Sequence, residues 1–372
     1  MAKVLKVAIV GCGKIADSHA TQIRRIEGCE LVGVCDREPL MAKQLCERFL
    51  AGAYFTDLEE LLSSMQPDVV HITTPPAGHF ELARLCMESG CNVYIEKPFT
   101  LTESEACTLI DMANTMECKL TVGHNEQFSH VARRMRCLVA DGYLGDIVHM
   151  ECHYGYDLSD PAYARALLGD KQHWVRKLPG KLLHNLISHG IAKIAEFLPG
   201  HDLQVFAHGF SSPLLRSIGE SDIVDELRVI ILGGRRTTAS FTFSSQMRPS
   251  IHEFRIYGSK NGLILDLDHD ILLPLRGAKY KSYADKFIPP VQFARHHLKA
   301  AITNFRLFLA RDFHMDLGMK HLIEAFYRSI QEDGPVPIPY REIILTTKIM
   351  DRIFDQVRDV QMERQDDVLV RS

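Results

Sequence analysis

Val4-Leu5-Lys6-Val7-Ala8-Ile9-Val10-Gly11-Cys12-Gly13-Lys14-Ile15-Ala16 is the stretch that decides the fold. Its first half is a short, nearly continuous apolar run, the pattern of a strand buried on both faces of a parallel sheet. Two glycines interrupt it, and a helical pattern follows. Gly11 permits a tight turn, Gly13 lets backbone approach a pyrophosphate, and Ala16 is small enough for close helix–strand packing. The helix start then offers unpaired N–H groups to the phosphates of a dinucleotide. A lone Gly-x-Gly is weak evidence, because turns use glycine anyway. The strand–turn–helix context gives it weight.

Outward from that turn, a second strand, Glu30 to Cys35, ends in Asp36, about 20 residues past the glycines. An acid there accepts hydrogen bonds from both ribose hydroxyls and repels a 2′-phosphate, favouring NAD over NADP. Arg37 follows at once and works against that preference. The plain alternative for Asp36 is a surface residue capping the next helix. Asp57 reads as the N-cap of a helix through Ser64. Asp68 to Ile72 reads as a strand opening into Thr73-Thr74-Pro75-Pro76-Ala77-Gly78-His79, and Cys91 to Ile95 as another ending at Glu96-Lys97-Pro98-Phe99. Such alternation predicts a doubly wound parallel sheet, whose ligands bind beyond the carboxyl ends of the strands. Gly11, Asp36, Thr73, Thr74, Glu96 and Lys97 therefore fall on one rim. Pro98 disfavours helical geometry at Lys97 and holds it extended. A lysine beside a cofactor can bond a substrate hydroxyl or carbonyl, and burial lowers its pKa. A solvated loop lysine fits the spacing equally well.

At 372 residues the chain exceeds one ordinary core. Residues 1–124, 125–357 and a frayed, charged tail over 358–372 are the expected divisions. A composition of 46% hydrophobic and 24% charged residues, with a net charge of −4, suits a globular protein without the basic face of a nucleic-acid partner. The ten cysteines show no CxxC pair and no zinc-like spacing with histidine, so free thiols in a reducing cytosol and no metal are expected. The N-terminus lacks a signal peptide's apolar region, and no apolar run approaches the ~18 residues of a membrane span. A cytoplasmic location is the expectation.

Further along, Ile147 to Tyr156 reads as a strand carrying Tyr154. The segment Ala162 to Lys181 holds Arg165, Lys171, Arg176, Lys177, Lys181 and the single tryptophan, Trp174. Such a loop suits a substrate phosphate or carboxylate, or is simply solvated. Leu182 to Leu198 reads as one helix with Leu183, Ile187, Ile191, Ile194 and Leu198 as its apolar stripe. Asn185 and His189 stand four apart on the other side, towards water or a cleft. Strand patterns from Leu203 to Leu267 predict an antiparallel meander. In Pro289 to Asp312, Val291, Ala294, Leu298, Ile302, Phe305 and Leu309 share a helical face, Arg295, His296, Lys299 and Arg306 lie elsewhere, and no acid occurs between Val291 and Arg311. A stripe of this kind more commonly covers a core or a subunit interface than lies on an anionic membrane. Closing helices near Met315 to Ile330 and Arg341 to Val357 are expected to buttress the second sheet.

Taken together, Val10-Gly11-Cys12-Gly13-Lys14-Ile15-Ala16, Thr74-Pro75-Pro76…His79, Glu96-Lys97-Pro98, Val122-Gly123-His124-Asn125 and Phe254-Arg255-Ile256-Tyr257-Gly258-Ser259-Lys260-Asn261-Gly262 resemble the glucose–fructose oxidoreductase / inositol dehydrogenase / MocA family. The resemblance runs to about Val357. It implies an N-terminal Rossmann domain and a C-terminal α+β domain with an open, mainly antiparallel sheet that often forms dimers or tetramers. It also implies NAD(P)-dependent chemistry at a sugar or cyclitol carbon. The cofactor site it implies draws on Gly11, Gly13, Lys14, Ile15, Asp36 and Arg37, then on Thr73, Thr74, Pro75, His79, Glu96, Lys97 and Asn125.

Lys97 inherits from the family a catalytic or substrate-positioning role. The family's helical Asp-x-x-x-His reads here Asn185-Leu186-Ile187-Ser188-His189, with the acid replaced. Asparagine can orient a hydroxyl but cannot ionise. Lys97 and His189 are left with the proton, and Asn185, Arg176, Trp174 and Tyr154 with the substrate. The expected function is an NAD-dependent dehydrogenase or reductase of a sugar or nucleotide-linked sugar. An NAD-dependent glycosidase and a non-catalytic sensor are the competing classes.

Overall fold

Strands β1 (Leu5–Val10), β2 (Cys29–Cys35), β3 (Ala53–Phe55), β4 (Val69–Ile72), β5 (Asn92–Ile95) and β6 (Leu120–Val122) form one parallel sheet in the order β3-β2-β1-β4-β5-β6. Between them run α1 (Lys14–Ile23), α2 (Pro39–Phe49), α3 (Leu58–Met65), α4 (His79–Glu88) and α5 (Glu103–Thr115). This is the doubly wound order, with its switch point between β1 and β4. Val7, Ala8, Ile9, Val69, Val70 and Ile72 are fully buried, as apolar strands covered on both faces must be. Asp57 caps α3, its carboxylate accepting from the Glu60 N–H at 2.9 Å. Pairing sets the ends level: Val10 lies opposite Cys35 and Ile72, Ile72 opposite Ile95, and Ile95 opposite Val122. Gly11, Asp36, Thr73, Glu96 and Gly123, the next residues of each strand, therefore share one edge.

The structure, a computed structural model, describes residues 4–371 apart from 201, 221, 235, 278–279, 281–282 and 314–317. The second sheet comprises β7 (Ile147–Gly155), β8 (Leu203–Phe210), β9 (Glu226–Gly233), β10 (Thr237–Ser244), β11 (His252–Gly258), β12 (Asn261–Asp266) and β13 (Ile271–Arg276), in the order β13-β12-β11-β7-β10-β9-β8. Its central pair, β7 and β10, runs parallel, while all other neighbours are antiparallel, so the expected simple meander is broken in the middle. β13 hides from sequence patterning because it contains Pro274. A proline is tolerated there because β13 is an edge strand.

Helices of this part are α6 (His130–Ala140), α7 (Pro161–Leu168), α8 (Lys181–Leu186), α9 (Ser188–Phe197), α10 (Pro213–Ser217) and α11 (Ala284–Leu309). At Gly190 of α9 a Cβ would stand 2.4 Å from the Phe241 ring, so the glycine allows the helix its close approach to the sheet. α11 begins at Ala284, before the expected start, and holds Pro289 and Pro290 inside it. None of its residues is buried, which overturns the expectation that its stripe covers a core. Among the described residues, no helix is long and apolar enough to cross a membrane.

Two compact units emerge: residues up to Phe128 with Gly318–Lys348, and Ser129–Leu317 with the residues from Ile349 onward. The chain thus returns to its first unit through α12 (Met319–Gln331) and the start of α13 (Tyr340–Arg371). α12 was expected to buttress the second sheet. Instead Met319, Leu322, Ile323, Phe326 and Tyr327 join the core of the first. Residues 315–317 of that expected helix lie outside the described residues. Lys119 fastens the end of α12, its ammonium donating to the Ser329 and Gly334 carbonyls at 2.6 Å each. Nor is the tail irregular from Arg358, because α13 continues to Arg371.

Candidate active site

Gly11 has φ +92°, and a Cβ there would stand 2.8 Å from the Thr74 backbone nitrogen, so both conformation and space demand glycine. Around a Cβ at Gly13, by contrast, nothing lies within 4 Å, and no side chain caps α1. The amino end of α1 is open. The Thr73 hydroxyl donates to the Gly11 carbonyl at 2.5 Å and holds the turn against β4. Asp36 braces it from the other side, accepting from the Cys12 N–H at 2.6 Å and the Glu38 N–H at 2.9 Å. It does not cap α2, whose N-cap is Glu38, and each carboxylate oxygen keeps a second lone pair for a further donor. Thr74 keeps a buried hydroxyl without a partner. Lys14, Arg37 and Pro75 are exposed, and Ile15 is half-buried against the core. An open helix end, an unused hydroxyl and a carboxylate at the end of β2 fit the phosphates and ribose of NAD.

His79 sits elsewhere than its expected cofactor contact. It is wholly buried, Nδ1 lying 3.0 Å from the Pro98 carbonyl and Nε2 2.9 Å from that of Thr74. Burial lowers its pKa, partly opposed by those carbonyls. His79 is a brace tying the Thr74 loop to the Lys97–Pro98 loop.

Behind the edge runs a line of polar groups that sequence reasoning missed. Glu96 Oε1 lies 2.9 Å from His19 Nε2, His19 Nδ1 lies 2.8 Å from His71 Nδ1, and His71 Nε2 lies 2.8 Å from the Tyr327 hydroxyl. All four side chains are buried. One assignment satisfies every atom: Tyr327 donates to His71, His71 to His19, and His19 to the Glu96 carboxylate, with both imidazoles neutral. Tyr94 stacks on His71, ring centroids 4.7 Å apart and planes 3° from parallel. Burial alone would raise the Glu96 carboxyl, but the hydrogen bond from His19, with the nearby Lys97, holds it below its ordinary value.

The other oxygen of Glu96 accepts the Lys97 backbone N–H at 3.0 Å. A Cβ at Gly123 would fall 2.7 Å from Glu96 Oε1, which accounts for the glycine in Val122-Gly123-His124. Burial pulls the Lys97 ammonium below its ordinary value, against the opposing charges of Glu96 and Glu126. Asn125 opens a single helical turn, Asn125–Phe128, just after this edge. A signal for the line did exist. His19 falls on the inner face of α1, three residues after Ala16, and His71 interrupts a strand otherwise apolar.

In the second unit the expected single helix is two, α8 and α9, parted at Ile187. The stripe of Leu183, Ile187, Ile191, Ile194 and Leu198 is buried, while Asn185 and His189 are half-buried on the other side. Tyr154 joins His189, ring centroids 6.5 Å apart. Lys193, one turn beyond His189 and buried, holds its ammonium 5.4 Å from the centre of the Tyr154 ring. The i, i+4, i+8 spacing of Asn185, His189 and Lys193 was its signal.

Arg176, by contrast, is committed within the fold. It pairs with Glu220 at 2.7 Å and Asp222 at 3.4 Å, and its Nε donates to the Leu168 carbonyl at 3.0 Å. That argues against its assignment to the substrate, because its charge is already matched by two carboxylates. Trp174, half-buried, packs on the cluster of Leu158, Leu168, Val175, Leu182, Leu215 and Ile223.

Comparison with known proteins agrees with this geometry. Residues 5–124 match an oxidoreductase family with an NAD-binding Rossmann fold, and residues 132–264 match the GFO/IDH/MocA C-terminal domain. D-glucoside 3-dehydrogenase of Escherichia coli K12 is 33% identical over 144 residues, 38% of this chain and 41% of that protein. Glycosyl hydrolase family 109 protein 2 of Akkermansia muciniphila is 26% identical over 227 residues, 57% of this chain and 47% of that protein. The chain thus spans less than half the length of either relative. In fold it is similar to the WlbA dehydrogenase of Bordetella pertussis, solved with NADH and UDP-GlcNAcA, with a TM-score of 0.75, 16% identity and 96% of each chain covered. The chain belongs to the Gfo/Idh/MocA family of oxidoreductases, and residues 5–124 are that family's NAD-binding Rossmann domain.

Proposed function

We propose that the chain is an NAD(H)-dependent dehydrogenase or reductase acting on a secondary alcohol or ketone of a sugar or nucleotide-linked sugar. The carrying observation is Lys97. It follows the strand-end row of Gly11, Asp36, Thr73 and Glu96, with burial pulling its ammonium below the ordinary value. NAD, when bound, supplies or accepts the hydride. Lys97 donates a hydrogen bond to the substrate oxygen and stabilises negative charge developing there. Its lowered pKa brings proton release closer to neutrality, where general acid–base catalysis works best. Glu96 holds the Lys97 peptide through its backbone N–H. His189 is the second proton-handling candidate, with Asn185 orienting a substrate hydroxyl. Asp36 favours NAD over NADP.

Lys97→Ala should lower kcat by roughly 10²–10⁴-fold while NAD affinity, read by nucleotide fluorescence, stays within about twofold. Unchanged turnover would remove Lys97 from the mechanism. The substrate is found by screening sugars and nucleotide sugars for a change in NADH absorbance. A second reading is an NAD-dependent glycosidase, supported by the Akkermansia relative aligning over 57% of the chain. Release of free sugar with no net NADH would select it.

A further inference from the structure

We infer that α11 is a docking helix that lays its apolar stripe on an anionic phospholipid surface. The inference is independent of the dehydrogenase reading and rests on how the helix is mounted. At 100° per residue, Phe287, Val291, Leu298, Ile302, Phe305 and Leu309 fall within one sector about 60° wide. All are exposed, Phe287 at 70%, Leu298 at 63% and Phe305 at 62%. The side turned away from them is the one fastened to the unit. Gln292 Nε2 donates to the Tyr280 hydroxyl at 3.2 Å, and Asn304 Nδ2 donates to the His269 carbonyl at 2.8 Å. With aromatic side chains of 150–250 Å² each, the patch is on the order of 500 Å² or more, the size that marks a protein or membrane interaction site.

Charge decides between those two. Arg295, Lys299 and Arg306 lie on one flank of the stripe, 20–60° beyond its edge by the same 100° spacing, where long side chains reach headgroups while the stripe enters the acyl boundary. Between Lys286 and Arg311 there is no acid; Asp285 and Asp312 stand just beyond the two ends. His296, on the mounted side, is held below its ordinary pKa by burial and then by the like charges of Arg134, Lys299, Arg276 and His297, so the helix adds to a cationic neighbourhood. If α11 instead packed antiparallel on its own copy, like flanks would meet, and Arg295, Lys299 and Arg306 would face lysine and arginine with no acid to pair them. An anionic bilayer supplies the missing charge.

The test is flotation of the full chain with vesicles of phosphatidylcholine alone and with 30% phosphatidylglycerol. At low salt the chain should float at least tenfold more with the anionic vesicles and be released as salt rises. Leu298→Asp with Phe305→Asp should abolish flotation without moving the unfolding midpoint or NAD affinity. Arg295→Glu, Lys299→Glu and Arg306→Glu together should abolish the difference between the two lipids. Failure of the parent chain to float with anionic vesicles would overturn the inference. So would a stable dimer, seen by sedimentation, that Phe305→Asp dissociates in a chain indifferent to lipid; a second copy would then be the occupant.

Discussion

The line from Glu96 through His19 and His71 to Tyr327 and the exposed face of α11 depart from the ordinary inside–outside pattern in opposite directions. The first buries four polar side chains in the first unit; the second exposes six large apolar ones in the second unit. The difference lies in compensation. Every donor in the buried line meets an acceptor belonging to the same chain, so the desolvation cost of each group is offset internally. Among the described residues, nothing in α11's own unit buries its stripe. A compensated exception points inward, to positioning; an uncompensated one points to something outside the chain.

Breaking the inner exception should therefore be costly. His19→Ala strips the buried Glu96 carboxylate of one partner and leaves His71 Nδ1 facing a void. A loss of about 3–5 kcal/mol is expected, as for a buried pair cut on one side. Urea unfolding of the intact chain reads it, and a loss below 1 kcal/mol would mean the line is not closed as assigned. Tyr327→Phe removes only the terminal donor and should cost about 1–3 kcal/mol. If both substitutions cost the same, the line is not anchored at the carboxylate end.

Its pH dependence has a definite sign. Burial first, and then His19, hold His71 well below its ordinary value of 6.5. In the unfolded chain that histidine binds a proton as pH falls through 6.5, while in the fold it stays neutral. Stability contributed by His71 is thus complete above pH 6.5 and is lost progressively as pH falls towards its lowered folded value. Glu96, held below its ordinary value of 4.5, acts in the same direction at lower pH. Chain stability followed by thermal unfolding should decline from pH 6.5 downward. In His71→Phe, less stable at every pH, that slope should flatten. An unchanged slope would assign the proton uptake to other groups.

How legible each region was follows from the range of its interactions. The Rossmann edge was readable because each part is local: a strand, its terminal residue and the turn after it. Register then aligned Gly11, Asp36, Thr73 and Glu96 without further information. The buried line was not readable, because it needs β4 and β5 in register, α1 packed over them and a tyrosine 256 residues from His71. Arg176 was misread for the same reason, its charge being matched by Glu220 and Asp222, far along the chain. A helix near α12 was expected, but a helical pattern does not say against which sheet its buried face packs. α11 shows the converse. Its stripe from Val291 to Leu309 was visible in the sequence, without Phe287, and only the structure shows that none of the helix is buried.

The smallest expected effect sharpens the comparison most. Phe305→Ser removes a large aromatic ring, and in a core that change would cost about 3–5 kcal/mol. Phe305 is 62% exposed and its helix has no buried residue, so folding gains little from the ring. The unfolding free energy should move by no more than about 0.5 kcal/mol, as for other surface substitutions. Solubility should rise, because exposed aromatic area promotes association. A loss above 2 kcal/mol would show that Phe305 is covered within the folded chain, and the outward exception would then be compensated like the inner one. Near-zero cost would instead mean that the stripe is kept for something other than folding, since six exposed apolar side chains add nothing that the fold itself requires.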